Sequence, residues 1–217
     1  MAELVWDSVG DRAYELGVDH GVLWVMNDDG TYENGVAWNG LTSVSDNPQG
    51  GDRNELWADN MLYASITATE TAGGSISAYT YPDEFMECDG SAALADGINI
   101  GQQRRKKFAF SYQTREGNDV DDEASYKIHI CYGCSCSPSS KDYNTINDSP
   151  DAIEFSWDYE CTPVAVANHK PTATVVIDSS VVDDTKMGKI KKALYGDSNG
   201  SSTLLLPAQI ITTMNAQ

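Results

Sequence analysis

The sequence predicts a mainly β fold, an antiparallel β-sandwich or barrel with one flanking α-helix, and three observations lead there. Residues 153–162 alternate apolar and polar side chains without a break, the period of a strand with one buried face. Turn-forming clusters separate further short runs of the same kind. One stretch alone, 181–195, combines a helical apolar period with start and stop signals.

Taken along the chain, strands are expected near 21–26, 36–45, 62–68, 75–81 and 173–177. Clearer alternation marks Phe108, Phe110 and Tyr112 against Ser111, Gln113 and Arg115, and Tyr126, Ile128, Ile130 and Tyr132 against Lys127 and His129. Turns fall at 27–30, 47–51, 73–74, 117–119 and 147–150, where Asn, Asp, Gly, Ser and Pro cluster. A short helix is expected to begin at Pro82. In 181–195, Met187, Ile190 and Leu194 share one face, Ser180 can cap the start and Gly196 can stop the helix; Asp183 and Asp184 at one end and Lys189, Lys191 and Lys192 toward the other suit its dipole. Residues 1–196 thus read as one β domain. Residues 197–217 read as a flexible linker followed by an apolar arm of Leu204, Leu205, Leu206, Ile210 and Ile211, expected to dock on another subunit.

Composition bounds the function. The chain has 217 residues, with 33 Asp and Glu against 14 Lys and Arg, a net charge of −19. Phosphate affinity comes from Lys and Arg displacing counterions, so this balance excludes an ordinary nucleic-acid binder and disfavours an anionic membrane surface. With 41% hydrophobic residues the chain has enough core material to fold. The N-terminal residues do not read as a secretory signal, and the longest apolar run, 22–26, is far short of a membrane span. Five cysteines in such a chain are expected to be reduced.

No motif assembles a catalytic set. Cys131, Cys134 and Cys136 with His129 resemble a metal site in spacing, but on a regular strand Cys131 and His129 face away from Cys134 and Cys136, so convergence needs a bulge at Gly133. Buried thiols are the expectation, and no cofactor is expected. The carboxylates of 83–89 and 119–123 fit no calcium-loop pattern, and His20, His129 and His169 lie in separate segments. Trp6, Trp24, Trp38, Trp57 and Trp157 are assigned mostly to core or subunit contacts. Arg104, Arg105, Lys106 and Lys107 form the one basic run and are candidates for an intersubunit ion-paired contact. Glu154, Ser156, Asp158 and Glu160 must point away from the core if Ile153, Phe155, Trp157 and Tyr159 point into it.

Several stretches are familiar together: 35–41 (Gly-Val-Ala-Trp-Asn-Gly-Leu), 78–85 (Ala-Tyr-Thr-Tyr-Pro-Asp-Glu-Phe), 88–90 (Cys-Asp-Gly), 100–103 (Ile-Gly-Gln-Gln), 117–119 (Gly-Asn-Asp), Tyr126-Lys127 and 143–150 (Tyr-Asn-Thr-Ile-Asn-Asp-Ser-Pro). In order and spacing the chain resembles the major tail protein, or tail tube protein, of long-tailed phages with non-contractile tails. The resemblance runs from about residue 3 to about 195. It implies a structural virion protein rather than an enzyme: a β-sandwich with a flanking helix that forms hexameric rings, whose inner sheets join into a ring-wide β-barrel. Rings stack into a tube through which genomic DNA passes without specific binding, with other tail proteins at its ends and no membrane anchor. The protein is then expected in the virion tail after assembly in the host cytoplasm. The family stacks rings through long loops between strands, which points to 45–54 and within it to Asp46, Asn47, Pro48, Gly50, Gly51, Asp52 and Arg53. Glu154, Ser156, Asp158 and Glu160 are the lumen candidates. The alternative is a carbohydrate-binding β-sandwich of a phage tail or cell-wall-binding protein.

Overall fold

The structure is a computed structural model that describes residues 4–146, 148, 151–198 and 200–216; most of the turn expected at 147–150 lies outside them. Hydrogen-bonded neighbours in the main sheet follow the order β2 (Val36–Trp38), β1 (Tyr14–Val25), β11 (Phe108–Gly117), β12 (Ser125–Cys136), β13 (Phe155–Cys161), β8 (Gly73–Ala78) and β3 (Leu41–Asp46), with β14 (Thr174–Asp178) joined to β12. All these pairings are antiparallel. The fold is mainly β, as expected, and among the described residues no barrel closes.

β12 sets the architecture by changing partners. Its first part, Lys127 to Cys131, lies against β14, whereas Cys134 to Cys136 lies against β13. Gly133 stands at the change with φ of +59°, and a Cβ there would sit 2.8 Å from the Thr162 carbonyl oxygen, so only glycine fits. The bulge expected at Gly133 exists, and β11 shifts register opposite it, between Phe108 and Phe110. The sheet turns there and folds β13, β8 and β3 over the strands that precede it.

Two cores result, one on each face of β1, β11 and β12. One holds Leu23, Val25, Phe108, Phe110 and Cys131 against Ile76, Trp157 and Tyr159. Trp38 and Phe85 meet in that core with ring centroids 4.5 Å apart. Phe85 comes from a short 3₁₀ turn, Asp83–Phe85, that leads after Pro82 into α1 (Met86–Asp89). The other core holds Val22, Trp24, Ala109, Ile128, Ile130 and Tyr132 beneath α2 (Asp184–Tyr195), which contributes Met187, Ile190 and Leu194. Asp183, not Ser180, caps α2: its carboxylate accepts from the Thr185 and Lys186 backbone N–H groups. Ser180 is engaged instead with the Asp178 carboxylate.

The C-terminal segment departs from expectation. The Thr203 N–H donates to the Ala193 carbonyl at 2.8 Å, the Ser202 hydroxyl to the Leu194 carbonyl, and the Gly35 N–H to the Ser202 carbonyl at 3.0 Å. Ser202 and Thr203 are therefore tied to α2 rather than free. Leu204, Leu205 and Ile210 are buried in the second core of their own subunit, and residues 207–215 form a helix, α3 (Pro207–Asn215), rather than an arm toward a neighbour. Apolar burial has no direction of its own, and here these side chains pack on Ile128, Ile130 and Tyr132 of β12 and on α2. Leu206 and Ile211 remain exposed.

Candidate assembly surfaces

The loop expected at 45–54 is part of a much longer hairpin. β3 runs on through β4 (Gln49–Gly50) into β5 (Arg53–Ala58), and the chain returns through β6 (Met61–Thr67), β7 (Glu70–Thr71) and β8. Three ladders in series hold the two sides together: β3 with β8, β4 with β7, and β5 with β6. Asp46, Pro48, Gly50, Gly51 and Arg53 thus lie on the outgoing side of the hairpin; Gly50, at φ of +83°, ends β4, and Gly51, at φ of +73°, opens the break before β5. At the tip Asp59 and Asn60 both have positive φ, the two-residue turn that matches strand twist.

The outer part of this hairpin is uncovered. Every residue of β5 is exposed, and all of β6 but Ala64. Trp57 is 66% and Tyr63 74% exposed, joined by Leu56, Met61, Leu62 and Ile66. Sequence reasoning assigned Trp57 to core or interface and did not single out the rest. An isolated two-stranded ribbon is marginal in water, and apolar side chains on both of its faces form the kind of surface that another protein covers.

At the root of the hairpin, β13, β8 and β3 present a polar face. The registers set Ser156 beside Ser77 and Ser43, Asp158 beside Ser75 and Ser45, and Glu160 beside Gly73. Ser77 donates to Ser156 at 3.2 Å. Trp157, Tyr159 and Cys161 are buried while Ser156, Asp158 and Glu160 are exposed, as the alternation predicts. Ile153 falls outside the strand and is exposed, and Glu154 accepts from the Thr42 hydroxyl. A cleft of about 750 Å³ opens beside this face, lined by Ser45, Asp46, Ser137, Asp158 and Glu160 and by no basic side chain.

The basic run divides. Lys106 pairs with Glu87 at 2.5 Å, which pushes the Lys106 ammonium up from its ordinary range, and Lys107 donates to the Thr162 hydroxyl at 2.9 Å. Arg105 lies over Gly90, half-buried. Arg104 is exposed and makes no ion pair or hydrogen bond among the described residues, so of the four it is the side chain best placed to meet a partner.

A charged network that spacing did not reveal lies across β1, β11 and β12. Lys127 pairs with Glu15 at 3.0 Å and also with Glu116. The Thr114 hydroxyl donates to Glu15 at 2.5 Å and lies 2.9 Å from His129 Nε2, so a neutral His129 donates from Nε2 into that chain. His129 is stacked on Tyr112 with centroids 4.6 Å apart, and burial pulls its pKa down. Asp19 joins Arg115 at 3.0 Å and His20 at 2.6 Å. The Asp19–His20 pair borders a cleft of about 390 Å³. The one serine hydroxyl there, that of Ser202, is committed to the Leu194 carbonyl. His169 lies apart from both histidines, near Val166.

All five cysteines are buried in the first core. The Gly133 bulge brings Cys131 and Cys134 to the same side, but His129 is held by Thr114, and among the described residues no three His, Cys, Asp or Glu side chains form a group that could hold a metal ion. Also among these residues, no helix is long and apolar enough to cross a membrane.

No protein-family model matches the chain, and no curated protein matches it.

Proposed function

We propose that this chain is a self-assembling structural subunit, the tail tube protein of a long-tailed phage with a non-contractile tail, which forms stacked hexameric rings around a conduit for DNA. The observation that carries this reading is the uncovered apolar hairpin of β5 and β6. It reaches past the domain with Trp57, Met61, Leu62 and Tyr63 open to solvent, and copies stacked along an axis give each hairpin a neighbour to cover it. Lateral joining has strand edges to use. Among the described residues β14 has β12 as its one partner, and β1 pairs with β2 only over Gly21 to Leu23.

The acidic face of β13 supports a lumen. A wall bearing Asp158 and Glu160, in a chain of net charge −19, keeps a duplex in a water layer about a Debye length, roughly 8–10 Å, thick and offers no phosphate contacts to slow transit. Other tail proteins would close the tube ends, and the virion tail would be the site of action.

Electron microscopy of the concentrated purified protein tests the reading. Long, uniform, hollow filaments are the expected result, and a monomer at all concentrations overturns it. The exposed Trp57 and Tyr63 also suit a sugar-stacking surface, so retention on glycan resin without filaments selects the carbohydrate-binding alternative.

A further inference from the structure

We propose that Cys134 and Cys161 are a latent cross-strand disulfide site, closed by a small peroxide. The two residues face each other in the β12–β13 register, with sulfurs 3.5 Å apart. The Thr162 N–H donates to the Gly133 carbonyl at 3.1 Å and the Ser137 N–H to the Asp158 carbonyl at 2.9 Å. Alternation along an antiparallel ladder then makes Cys134 and Cys161 a non-hydrogen-bonded pair, in which Cα atoms approach to about 4.5 Å. That separation lies inside the range a disulfide spans. Small rotations of the two side chains suffice to form the bond.

The Gly133 bulge creates the site. It ends the β14 pairing at Cys131, which lies opposite Thr174, and hands the next residues to β13, so Cys134 has a cysteine across from it and Cys131 does not. Cys131 is the competitor: its thiol interacts with that of Cys161, but its partners across the two ladders are Phe110 and Thr174.

Burial keeps the site open under reducing conditions. Cys134 is fully buried and Cys161 is 5% exposed. The Cys131 thiol favours the Cys161 thiolate, but the Cys134 thiol and burial outweigh it and push Cys161 up; burial likewise pushes Cys134 up. Both groups rest as thiols, and thiols react slowly. A bulky disulfide reagent has no room to enter, whereas a peroxide is close to water in size. The Cys161 sulfur, as its thiolate, attacks one peroxide oxygen; the O–O bond breaks, and the hydroxide released takes up the Cys161 proton. The resulting sulfenic acid is attacked by the Cys134 sulfur, the S–O bond breaks, and a second water leaves with the Cys134 proton. Two thiols and one hydrogen peroxide become one disulfide and two waters. The bond ties β12 to β13 across a separation of 27 residues, within a single subunit and independent of assembly.

The test treats the folded full-length chain with hydrogen peroxide, alkylates the remaining thiols after denaturation, and maps linked peptides by mass spectrometry with fragmentation. The expected result is a link between Cys134 and Cys161 that leaves three of the five thiols alkylated, with a thermal midpoint raised by roughly 5–10 °C and restored by dithiothreitol. Cys131→Ser should keep the link, and Cys134→Ser and Cys161→Ser should abolish it; if either of those fails to fold, the wild-type map decides alone. Five alkylated thiols after treatment, a link through Cys131, or oxidation to sulfinic acid without a link overturns the proposal. Filament formation plays no part in the readout, so its failure and that of the tube reading are separate results.

Discussion

The hydroxyl of Tyr132 donates to the carbonyl oxygen of Leu205 at 2.7 Å, inside the core beneath α2 and α3. The bond fixes the C-terminal segment to β12 of the same subunit. Truncation after Thr203 removes Leu204, Leu205 and Ile210, each worth about 2–3 kcal/mol of burial, from a domain whose whole stability is on the order of 5–15 kcal/mol. The truncated chain should be grossly destabilised rather than a soluble, assembly-deficient subunit. Tyr132→Phe, which leaves the carbonyl unpaired, should cost about 1–2 kcal/mol, measured by urea unfolding.

The hairpin predicts the opposite pattern. Trp57→Ser with Tyr63→Ser touches no core residue, so stability should stay within about 0.5 kcal/mol of wild type while filaments fail to elongate. Full-length filaments from this variant would remove the hairpin from assembly.

Acid should weaken the fold in two stages. His129 has a pKa held below its ordinary 6.5 by burial, so the folded state resists the proton. Its contribution is complete above about pH 6.5 and is lost as the pH falls through the lower folded value. Glu15 is held below its ordinary range first by the Thr114 hydroxyl and then by Lys127, and its contribution is lost at still lower pH. The His129 NMR titration should have a midpoint below 6.5, and His129→Gln should flatten the first stage of a pH series of unfolding midpoints while leaving the second.

Asp158→Lys with Glu160→Lys changes the polar face and leaves Trp157 and Tyr159 in place. Folding and assembly should survive. DNA release from particles carrying the variant should become slower and more salt-dependent, because each new Lys can displace phosphate counterions; unchanged release would place this face outside the channel.

Arg104→Ser should slow filament growth modestly at low salt and leave it unchanged at high salt, since an exposed charge contributes about 0–1 kcal/mol. Light-scattering kinetics at two ionic strengths distinguish this from a structural role.

What the sequence disclosed follows from which faces are buried. β13 was legible because Trp157, Tyr159 and Cys161 face core while Ser156, Asp158 and Glu160 face water. In β1 the end from Val22 to Val25 is buried on both faces, so it read as a plain apolar run, and its earlier half, exposed and interrupted by Gly17, gave no strand signal. The stretch 36–45 read as one strand because its divider is a single turn, Asn39-Gly40, with Gly40 at φ of +77°. The outer hairpin escaped notice as a surface because alternation locates a subunit's own core, and neither face of β5 or β6 has one. Leu204, Leu205 and Ile210 read as part of an arm for a neighbouring subunit, whereas they pack into the core of their own chain, because apolar content does not say on which surface it is buried. The network of Glu15, Thr114, Lys127 and His129 joins three strands across separations of up to 112 residues, beyond the reach of any local spacing.

The hairpin's three separate ladders have a mechanical side. A ribbon resists bending where consecutive rungs are bonded, and it yields where the rungs stop. The Ala68 N–H to Asp52 carbonyl bond extends the β5–β6 ladder toward the Gly50–Glu70 rung, and between them the backbone at Gly51, with φ of +73°, carries no side chain to brace it. Strain applied at the tip is therefore taken up at that joint instead of travelling into β3 and β8, where it would disturb the packing of Ile76 and Trp157. A filament whose subunits grip one another through such arms can curve along its length while every domain keeps its shape.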